Sequence, residues 1–202
     1  MRLRRVGAAI AVGYLIGTFP TADLVARRWS RGAVDLRSAG SGNPGTANAA
    51  AVLGVRAGAI VLAGDIAKGA AAAAVGAAVA GPIGAHAGST ASVVGHCFPV
   101  WTGFRGGKGV AASIGQCLAT FPAYFPIDAA VGVATAAMPW WRQRAFGATA
   151  VSSVCWVLGG VVWWRKGWSN AWGPRPSAAL PLASAVSSVV IAERFLSAGG
   201  SH

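Results

Sequence analysis

Long apolar stretches separated by short polar breaks follow one another along most of the chain. They lie at 6–26, 46–81, 86–101, 109–138, 146–164 and 178–197. A bilayer core about 30 Å thick needs about 20 apolar residues in a helix, and each stretch meets or approaches that length. The 109–138 stretch is long enough to fold back at Phe121 and Pro122 as two short helices. The pattern therefore predicts an all-α polytopic membrane protein of about seven transmembrane helices, with six or eight as alternatives.

The composition supports a membrane protein made of one domain. Of the 202 residues, 54% are hydrophobic and only 11% are charged, which is too apolar for a soluble domain of this length. No linker, composition shift or internal repeat divides the chain, so we expect residues 1–202 to form a single domain. The formal net charge is +12, but no basic tract alternates with aromatic residues, so nucleic acid is not an expected partner.

Positive charges in the loops favour one orientation slightly. If the N-terminus is outside and seven helices follow, the cytoplasmic side holds Arg27, Arg28, Arg31, Arg37, Arg105, Lys108, Arg142, Arg144 and Arg194. The outer side then holds Arg2, Arg4, Arg5, Arg165, Lys166 and Arg175. Cytoplasmic loops normally carry the excess of Lys and Arg, so this difference favours the orientation, while the basic N-terminus opposes it.

A few titratable residues interrupt the apolar stretches. Asp65 and Lys68 are three residues apart on one helix face, and we expect them to pair as a scaffold because an unpaired charge is costly in a membrane. The sequence predicts no role for Asp23 or for Asp128, which has no obvious partner.

The cysteines predict packing rather than chemistry. Cys97, Cys117 and Cys155 are far apart in the sequence and form no Cys-x-x-Cys pair. They lie in apolar surroundings, so neither a metal site nor a disulfide is expected.

The first polar break, GSGNPGTAN at 40–48, has the residue types of an anion-binding turn. The glycines that permit left-handed backbone conformations are Gly40, Gly42 and Gly45. Their successive amides can form an anion-binding nest, and a helix that begins near Thr46 would direct its N-terminus to the same place. Further donors come from Ser41, Asn43 and Asn48. The alternative is a plain polar turn between two helices.

The second polar break, GFRGGKGVAAS at 103–113, repeats this arrangement. Its glycines before the helix that starts near Val110 are Gly106, Gly107 and Gly109, and its cations are Arg105 and Lys108. It is not a Walker A loop, because Thr102 and Gly109 occupy positions where that loop needs a glycine and a Ser or Thr. A basic loop that only sets topology is the alternative, but two cations among four glycines favour phosphate binding. Polar breaks beside long helices indicate a lined cavity, so we expect one shared site.

His96 ends the apolar stretch before the second break. A lone histidine in such a place is more often a hydrogen-bonded structural residue than a catalyst. No aspartate follows five residues later, so the His-x4-Asp dyad common in acyltransferases is absent from this position.

Taken in order, YLIGTFPTADLVARRWSRGAVDLRSAGSGNPGTAN, LAGDIAKG and VVGHCFPVWTGFRGGKGVAA resemble the bacterial acyl-phosphate:glycerol-3-phosphate acyltransferases, over roughly residues 12–115. The resemblance implies a seven-helix protein of the bacterial cell membrane with two glycine-rich cytoplasmic active-site loops. It implies transfer of a fatty acyl group from acyl phosphate to the 1-hydroxyl of glycerol 3-phosphate, forming lysophosphatidic acid, without a cofactor or metal. It also leaves room for a partner enzyme that produces acyl phosphate. The first apolar stretch, which is similar to a secretory signal, is then a retained span.

The resemblance also implies which residues act. The catalytic residues would be Lys108, His96 and Asn48. The substrate-binding residues would be Ser41, Gly42, Asn43, Gly45, Arg105, Gly106, Gly107, Gly109 and Arg144. Lys108 would neutralise the donor phosphate while the glycine amides orient it. Because acyl phosphate is an activated anhydride, an oxygen of its own phosphate could take the hydroxyl proton, which would explain the missing dyad.

The chain departs from the family pattern at several positions. The first segment has Ala51 in place of a phosphate-binding arginine, and Arg56 would lie about 140° away on one continuous helix. Gly147 and Ala150 stand where two serines are expected, and the C-terminal motif keeps only Arg194.

These losses keep alternatives open. One is an acyltransferase for another phosphorylated acceptor. A second is an inactive relative that binds anionic lipid or a partner enzyme. A small transporter is a third, because polar helix breaks also build transport sites.

Overall fold

Eight α-helices make up the part of the chain that the computed structural model describes, residues 1–139 and 144–199. They are α1 (Arg2–Gly17), α2 (Thr21–Ser30), α3 (Thr46–Leu53), α4 (Val55–Cys97), α5 (Val110–Thr120), α6 (Phe125–Ala137), α7 (Arg144–Lys166) and α8 (Ala179–Gly199). No β-strand occurs within these residues, which confirms the all-α prediction. Arg142, expected in a cytoplasmic loop, lies outside the described residues.

The 43-residue helix α4 folds back on itself as a hairpin. Ala80 and Gly81 have non-helical backbone angles, Gly81 has a φ of 65°, and Pro82 follows. The halves before and after this kink then run antiparallel at close range, since a Cβ on Gly76 would lie 2.1 Å from the carbonyl oxygen of Gly84. The hairpin accounts for two of the predicted apolar helices.

Small residues let neighbouring helices approach this hairpin closely. A Cβ on Gly13 of α1 would lie 2.2 Å from the Gly88 oxygen, and one on Gly69 would lie 2.1 Å from the Ala112 oxygen of α5. Packing through glycine and alanine is a common way for helices to associate in membranes. The alanine- and glycine-rich part of the chain is therefore structural, as its composition predicts.

The number of apolar helices agrees with the prediction. Within the described residues, four segments are long and apolar enough to cross a membrane, namely Arg2–Ser30, Val55–Thr102, Arg144–Lys166 and Ala179–Ser197. Two shorter apolar helices, α5 and α6, meet at Phe121 and Pro122. Counting α4 as two and α5 and α6 separately gives about seven apolar helices. The chain is a multi-pass membrane protein.

One predicted span is divided differently. The 46–81 stretch is not continuous, because Gly54 has a φ of 94° and ends α3 one residue before α4 begins. Ala51 and Arg56 therefore lie on different helices, so the predicted separation of about 140° on one continuous helix is wrong. Both residues are exposed.

Aromatic rings and cysteines pack the turn between α5 and α6. Phe121 stacks on Tyr124 at a centroid distance of 5.0 Å, and Trp163 of α7 meets Phe121 edge-on at 5.4 Å. Cys117 is buried in the same cluster, and Cys97 is buried where α4, α5 and α8 meet. Cys155 is half-buried and packs against the cluster that contains Cys117.

Candidate functional site

A narrow cleft opens where the connection between α1 and α2 meets α4 and both glycine-rich breaks. Its lining includes Phe19, Asp23, Arg37, Pro44, Asp65, Lys68, His96, Pro99, Gly106 and Gly107. Arg37, three residues before the first break, also contacts the second break, since its Nε donates to the carbonyl oxygen of Arg105 at 3.0 Å. The structure thus brings both breaks to one site, as the sequence predicts.

Asn48 organises the first break. Its Oδ1 accepts the Ser41 N–H at 2.8 Å, and its Nδ2 donates to the carbonyl oxygens of Leu36 and Ala39 at 3.0 and 2.9 Å. Gly40 has a φ of 60° and no room for a side chain, because a Cβ there would lie 2.2 Å from Asn48 Oδ1. Both ends of the buried amide are therefore engaged in holding the loop.

The rest of the first break differs in part from the prediction. Gly40 and Gly42 adopt left-handed conformations, whereas Gly45 has a φ of −148° and is extended, so it does not use the conformation that glycine permits. Ser41 and Gly42 are exposed, and Asn43 is half-buried. Pro44 of this break lines the cleft.

The glycines of the second break serve close packing against the end of α4. A Cβ on Gly106 would lie 2.0 Å from the His96 carbonyl oxygen, and one on Gly107 would lie 2.2 Å from His96 Nε2. The amide of Gly106 donates to Cys97 O and that of Gly107 to His96 O, both at 3.1 Å. The expectation that these two amides hold phosphate is therefore wrong, because they already have acceptors.

Gly109 and Arg105 lie at two other positions of the second break. Gly109 is the residue before α5, with a φ of 88° that L side chains rarely adopt. Arg105 is exposed, and its carbonyl oxygen accepts from Arg37.

Arg194 of α8 fixes the second break from the opposite side. It donates to the carbonyl oxygens of Gly106 and Gly107 at 2.9 and 3.2 Å, and its guanidinium lies 5.4 Å from the Phe98 ring centroid. The sequence shows Arg194 only as the remnant of a motif, since its partners are 87 and 88 positions away.

Lys108 turns away from the cleft. Its Nζ lies 4.3 Å from the ring centroid of Phe195, and Lys108 is not among the residues that line the cleft. Burial of the ammonium and the charge of Arg194 together lower the pKa of Lys108 below its usual value. Lys108, one of the three residues expected to be catalytic, thus lies beside the cleft rather than in its lining.

A buried charge cluster forms the floor of the cleft. Lys68 Nζ lies 2.8 Å from Asp65 Oδ1, which confirms the predicted pair, and it also donates to the Phe19 carbonyl oxygen at 3.2 Å. His96 Nδ1 lies 3.6 Å from the same Asp65 oxygen. His96, Asp65 and Lys68 are all at least nine-tenths buried. His96 is thus part of a charged network.

Two acids without a predicted role have partners. Asp23 of α2 forms an ion pair with Arg37, which also lines the cleft. Asp128 accepts a hydrogen bond from Ser152. The cation of DLR at 35–37, directly before the first glycine-rich break, is the signal that could have identified Arg37.

Arg144 begins α7 as an exposed residue and is not among the residues that line the cleft. Gly147 is buried and Ala150 is half-buried on the same helix. Among the described residues, no group of three or more His, Cys, Asp or Glu side chains could hold a metal ion.

A mainly apolar cavity of about 290 Å³ lies between α5, α6, α7 and α8. It begins at Val110 and Ser113, in the first turn of α5 and close to Lys108 in sequence. Its polar members include Asp128, Ser152 and Ser153. The second break therefore lies between a charged cleft and an apolar cavity.

Comparison with known proteins points to one family. The family model for glycerol-3-phosphate acyltransferase matches residues 7–195. The protein of that name from Exiguobacterium sibiricum is 47% identical over 116 residues, which cover 57% of this chain and 55% of the relative. That from Thermoanaerobacter pseudethanolicus is 35% identical over 155 residues, covering 77% and 76%. The chain spans about half the length of the first curated relatives it matches.

Two solved structures have a similar fold. One is PlsY (YgiH), an integral membrane glycerol 3-phosphate acyltransferase, in its glycerol 3-phosphate form. It superposes with a TM-score of 0.75 at 25% identity, over 95% of this chain and 88% of that chain. The lysophosphatidic acid form of PlsY superposes with a TM-score of 0.72 at 25% identity, over 94% and 87%.

Proposed function

The chain belongs to the glycerol-3-phosphate acyltransferase family, which confirms the resemblance seen in its sequence, and from this premise we propose that it is an acyl-phosphate-dependent glycerol-3-phosphate acyltransferase. The reaction transfers a fatty acyl group to the 1-hydroxyl of glycerol 3-phosphate and forms lysophosphatidic acid. One observation carries this proposal. A charged cleft lies on one side of the second glycine-rich break and an apolar cavity on the other, which suits a polar acceptor and a lipid donor.

The chemistry requires little of the protein beyond position and charge. The 1-hydroxyl oxygen attacks the carbonyl carbon of acyl phosphate, the bond from that carbon to the phosphate oxygen breaks, and inorganic phosphate leaves. The hydroxyl proton passes to an oxygen of the donor phosphate. Lys108 stabilises the phosphate charge that develops, and the acyl chain lies toward the apolar cavity.

The remaining residues take supporting roles in this proposal. His96, in contact with Gly107 and facing Asp65, lines the cleft for the acceptor. Asn48 acts by holding the first break in shape rather than by touching substrate. The other proposed substrate-binding residues are Ser41, Gly42, Asn43, Gly45, Arg105, Gly106, Gly107, Gly109 and Arg144. Of these, Gly106 and Gly107 contribute through their close packing against α4 rather than through their amides.

The cellular setting is part of the proposal. Residues 1–202 act as one domain in a bacterial cell membrane, and the cleft faces the cytoplasm, where glycerol 3-phosphate is dissolved. The cations Arg37, Arg105, Lys108 and Arg194 around the two breaks support this orientation. An enzyme that produces acyl phosphate would be the natural partner, because the donor is both reactive and membrane-bound.

The test is phosphate release from palmitoyl phosphate by purified protein in lipid, with and without glycerol 3-phosphate. We expect acceptor-dependent release that Lys108→Ala reduces by at least about a hundredfold, since a charge-stabilising group is lost. Arg28→Ala, which removes an exposed cation of α2, is the matched control. Equal rates for the wild type and Lys108→Ala would contradict the proposal.

A diverged relative is the second candidate, favoured by the exposed Ala51 and by Gly147 and Ala150 on α7. Such a protein acts on another phosphorylated acceptor, or only binds anionic lipid or a partner enzyme. Turnover with a different phosphorylated polyol, and none with glycerol 3-phosphate, would establish the altered acceptor. Lipid binding without any turnover would establish the inactive form.

A further inference from the structure

Two cations of the cleft are supported in the same way. Arg37 pairs with Asp23 and donates to the Arg105 carbonyl oxygen at 3.0 Å. Lys68 pairs with Asp65 and donates to the Phe19 carbonyl oxygen at 3.2 Å. Each cation is thus held by one carboxylate and one backbone carbonyl, and each lines the same cleft.

Both cations keep donors for a ligand. An ammonium has three N–H groups and a guanidinium has five. Within the described residues, Lys68 donates one hydrogen bond, to the Phe19 carbonyl oxygen, and forms an ion pair with Asp65. Arg37 uses its Nε and one Nη1 contact. The fixed partners reduce the entropy that the side chains would lose when a ligand binds.

The charge balance favours an anion in this cleft. The two carboxylates offset only the two cations that they hold. The surrounding second break adds Arg105 and Lys108, and Arg194 contacts its carbonyls. The whole chain has five acidic residues against 17 Lys and Arg, so its long-range field is positive and attracts anions.

We propose that Arg37 and Lys68 bind the phosphate of glycerol 3-phosphate, while Lys108 serves the phosphate of the acyl donor. This inference rests on the proposed acyltransferase function. It places the phosphate of the acceptor in the cleft and the phosphate of the donor at Lys108. The division follows the geometry, since Arg37 and Lys68 line the cleft whereas Lys108 packs on Phe195 beside the start of the apolar cavity. Arg37 then contacts the acceptor through the N–H groups that Asp23 and Arg105 leave available, while its Nε keeps its bond to the second break.

Variants of the buried pair separate ligand binding from scaffolding. Lys68→Met alone leaves Asp65 as an uncompensated buried charge, which by itself destabilises a protein. The double variant Asp65→Asn with Lys68→Met removes both charges and restores the balance. If the pair were only structural, the double variant would recover the wild-type KM for glycerol 3-phosphate. As a ligand, Lys68 is missing from both variants, and we expect KM for the acceptor to rise about tenfold or more in each.

Arg37 and Asp23 can be tested in the same way, with one single and one double variant. We expect Arg37→Gln, and the double variant with Asp23→Asn, to raise KM for glycerol 3-phosphate by about tenfold to a hundredfold. The KM for palmitoyl phosphate should stay within about twofold of wild type. Lys68→Arg should recover part of the loss, because it keeps a cation in the cleft. Arg28→Gln on α2 controls for the general loss of a positive charge.

Direct binding distinguishes a failure of this inference from a failure of the proposed function. Calorimetric titration of the full-length protein in lipid with glycerol 3-phosphate, without any acyl donor, measures acceptor binding alone. Weaker binding in the Arg37 and Lys68 variants supports the inference even if the wild type shows no turnover. A wild type that turns over while these variants keep its acceptor KM and affinity would overturn the inference and leave the function standing. A rise in the donor KM alone would also overturn it.

Discussion

Arg194, near the end of α8, donates a hydrogen bond of 2.9 Å to the carbonyl oxygen of Gly106. It donates a second hydrogen bond of 3.2 Å to the carbonyl oxygen of Gly107, so one guanidinium binds two consecutive carbonyls of the second glycine-rich break. The amides of the same two glycines bond to the end of α4. The break is thus held between α4 and α8, and Lys108 directly follows the two glycines in the chain. The last helix therefore fixes the position of a proposed catalytic residue.

Replacing Arg194 tests this relationship. We expect Arg194→Gln to lower kcat about tenfold or more and to destabilise the protein by about 1–3 kcal/mol, because two buried carbonyl contacts lose a charged donor. Arg194→Lys should give an intermediate result, since an ammonium cannot reproduce the fork of a guanidinium. Steady-state kinetics and thermal unfolding in lipid measure both effects. Arg175→Gln, an exposed arginine between α7 and α8, is the control. An Arg194→Gln variant with unchanged kcat would show that these two hydrogen bonds do not position Lys108.

The pKa of Lys108 predicts the alkaline limb of the pH profile. Burial first, and then the charge of Arg194, lower the pKa of this ammonium. A lysine is charged below its pKa and loses its charge as pH rises through it. Acyltransferase activity that depends on the charged form should therefore fall at a lower pH than the usual pKa of lysine, about 10.4, would give.

The Arg194→Gln variant gives this pH prediction a control. Removing the neighbouring positive charge should raise the pKa of Lys108, so the alkaline limb of the remaining activity should move to higher pH. The comparison uses kcat/KM profiles of wild type and variant from neutral pH upward. A limb that moves to lower pH, or does not move, would mean that another group controls it.

Local patterns in the sequence predict most of the fold. Hydropathy locates the apolar helices because each must bury its backbone polarity in a bilayer, and Phe121 with Pro122 marks the turn between α5 and α6. Asp65 and Lys68 are foreseen as a pair because three residues along a helix bring side chains to one face. The helix break at Gly54 is not predicted, because nothing in the run of small residues shows that the backbone of Gly54 leaves the helix.

The site itself depends on contacts between residues far apart in the chain. Arg37 meets Arg105 across 68 positions and Arg194 meets Gly106 across 88, and no local pattern encodes either contact. The glycine-rich breaks are found by composition. The sequence cannot show that the amides of Gly106 and Gly107 are already satisfied by α4, because a nest and a packed turn have the same residue types.

Asn48 offers a prediction about the first break. Asn48→Ala leaves the Ser41 amide and the Leu36 carbonyl without a partner, while the Ala39 carbonyl keeps the Gly42 N–H, so we expect a loss of about 1–3 kcal/mol in stability. Asn48→Asp keeps the acceptor for Ser41 but loses both donors and places a carboxylate beside two carbonyl oxygens, so it should be less stable than wild type. Thermal unfolding of the variants in lipid provides the measurement. If Asn48→Ala unfolds like wild type but loses all turnover, Asn48 has the direct catalytic role that its engaged amide argues against.

The contact between α4 and α5 sets how the second glycine-rich break lies relative to Lys68, because α5 begins at the end of that break and Gly69 follows Lys68 on α4. A Cβ on Gly69 would lie 2.1 Å from the backbone oxygen of Ala112 and 3.1 Å from the nitrogen of Gln116. Backbone atoms cannot turn aside as a flexible side chain can, so Gly69→Ala should force the helices apart. We expect a loss of about 1–3 kcal/mol and lower activity. Gly7→Ala is the matched control, because Gly7 is exposed on α1 and a Cβ there meets nothing within 4 Å. That variant should be at least as stable as wild type, since alanine favours a helix over glycine. Equal unfolding temperatures for the two variants would show that α4 and α5 separate without cost, and the close approach through Gly69 would then not fix the site.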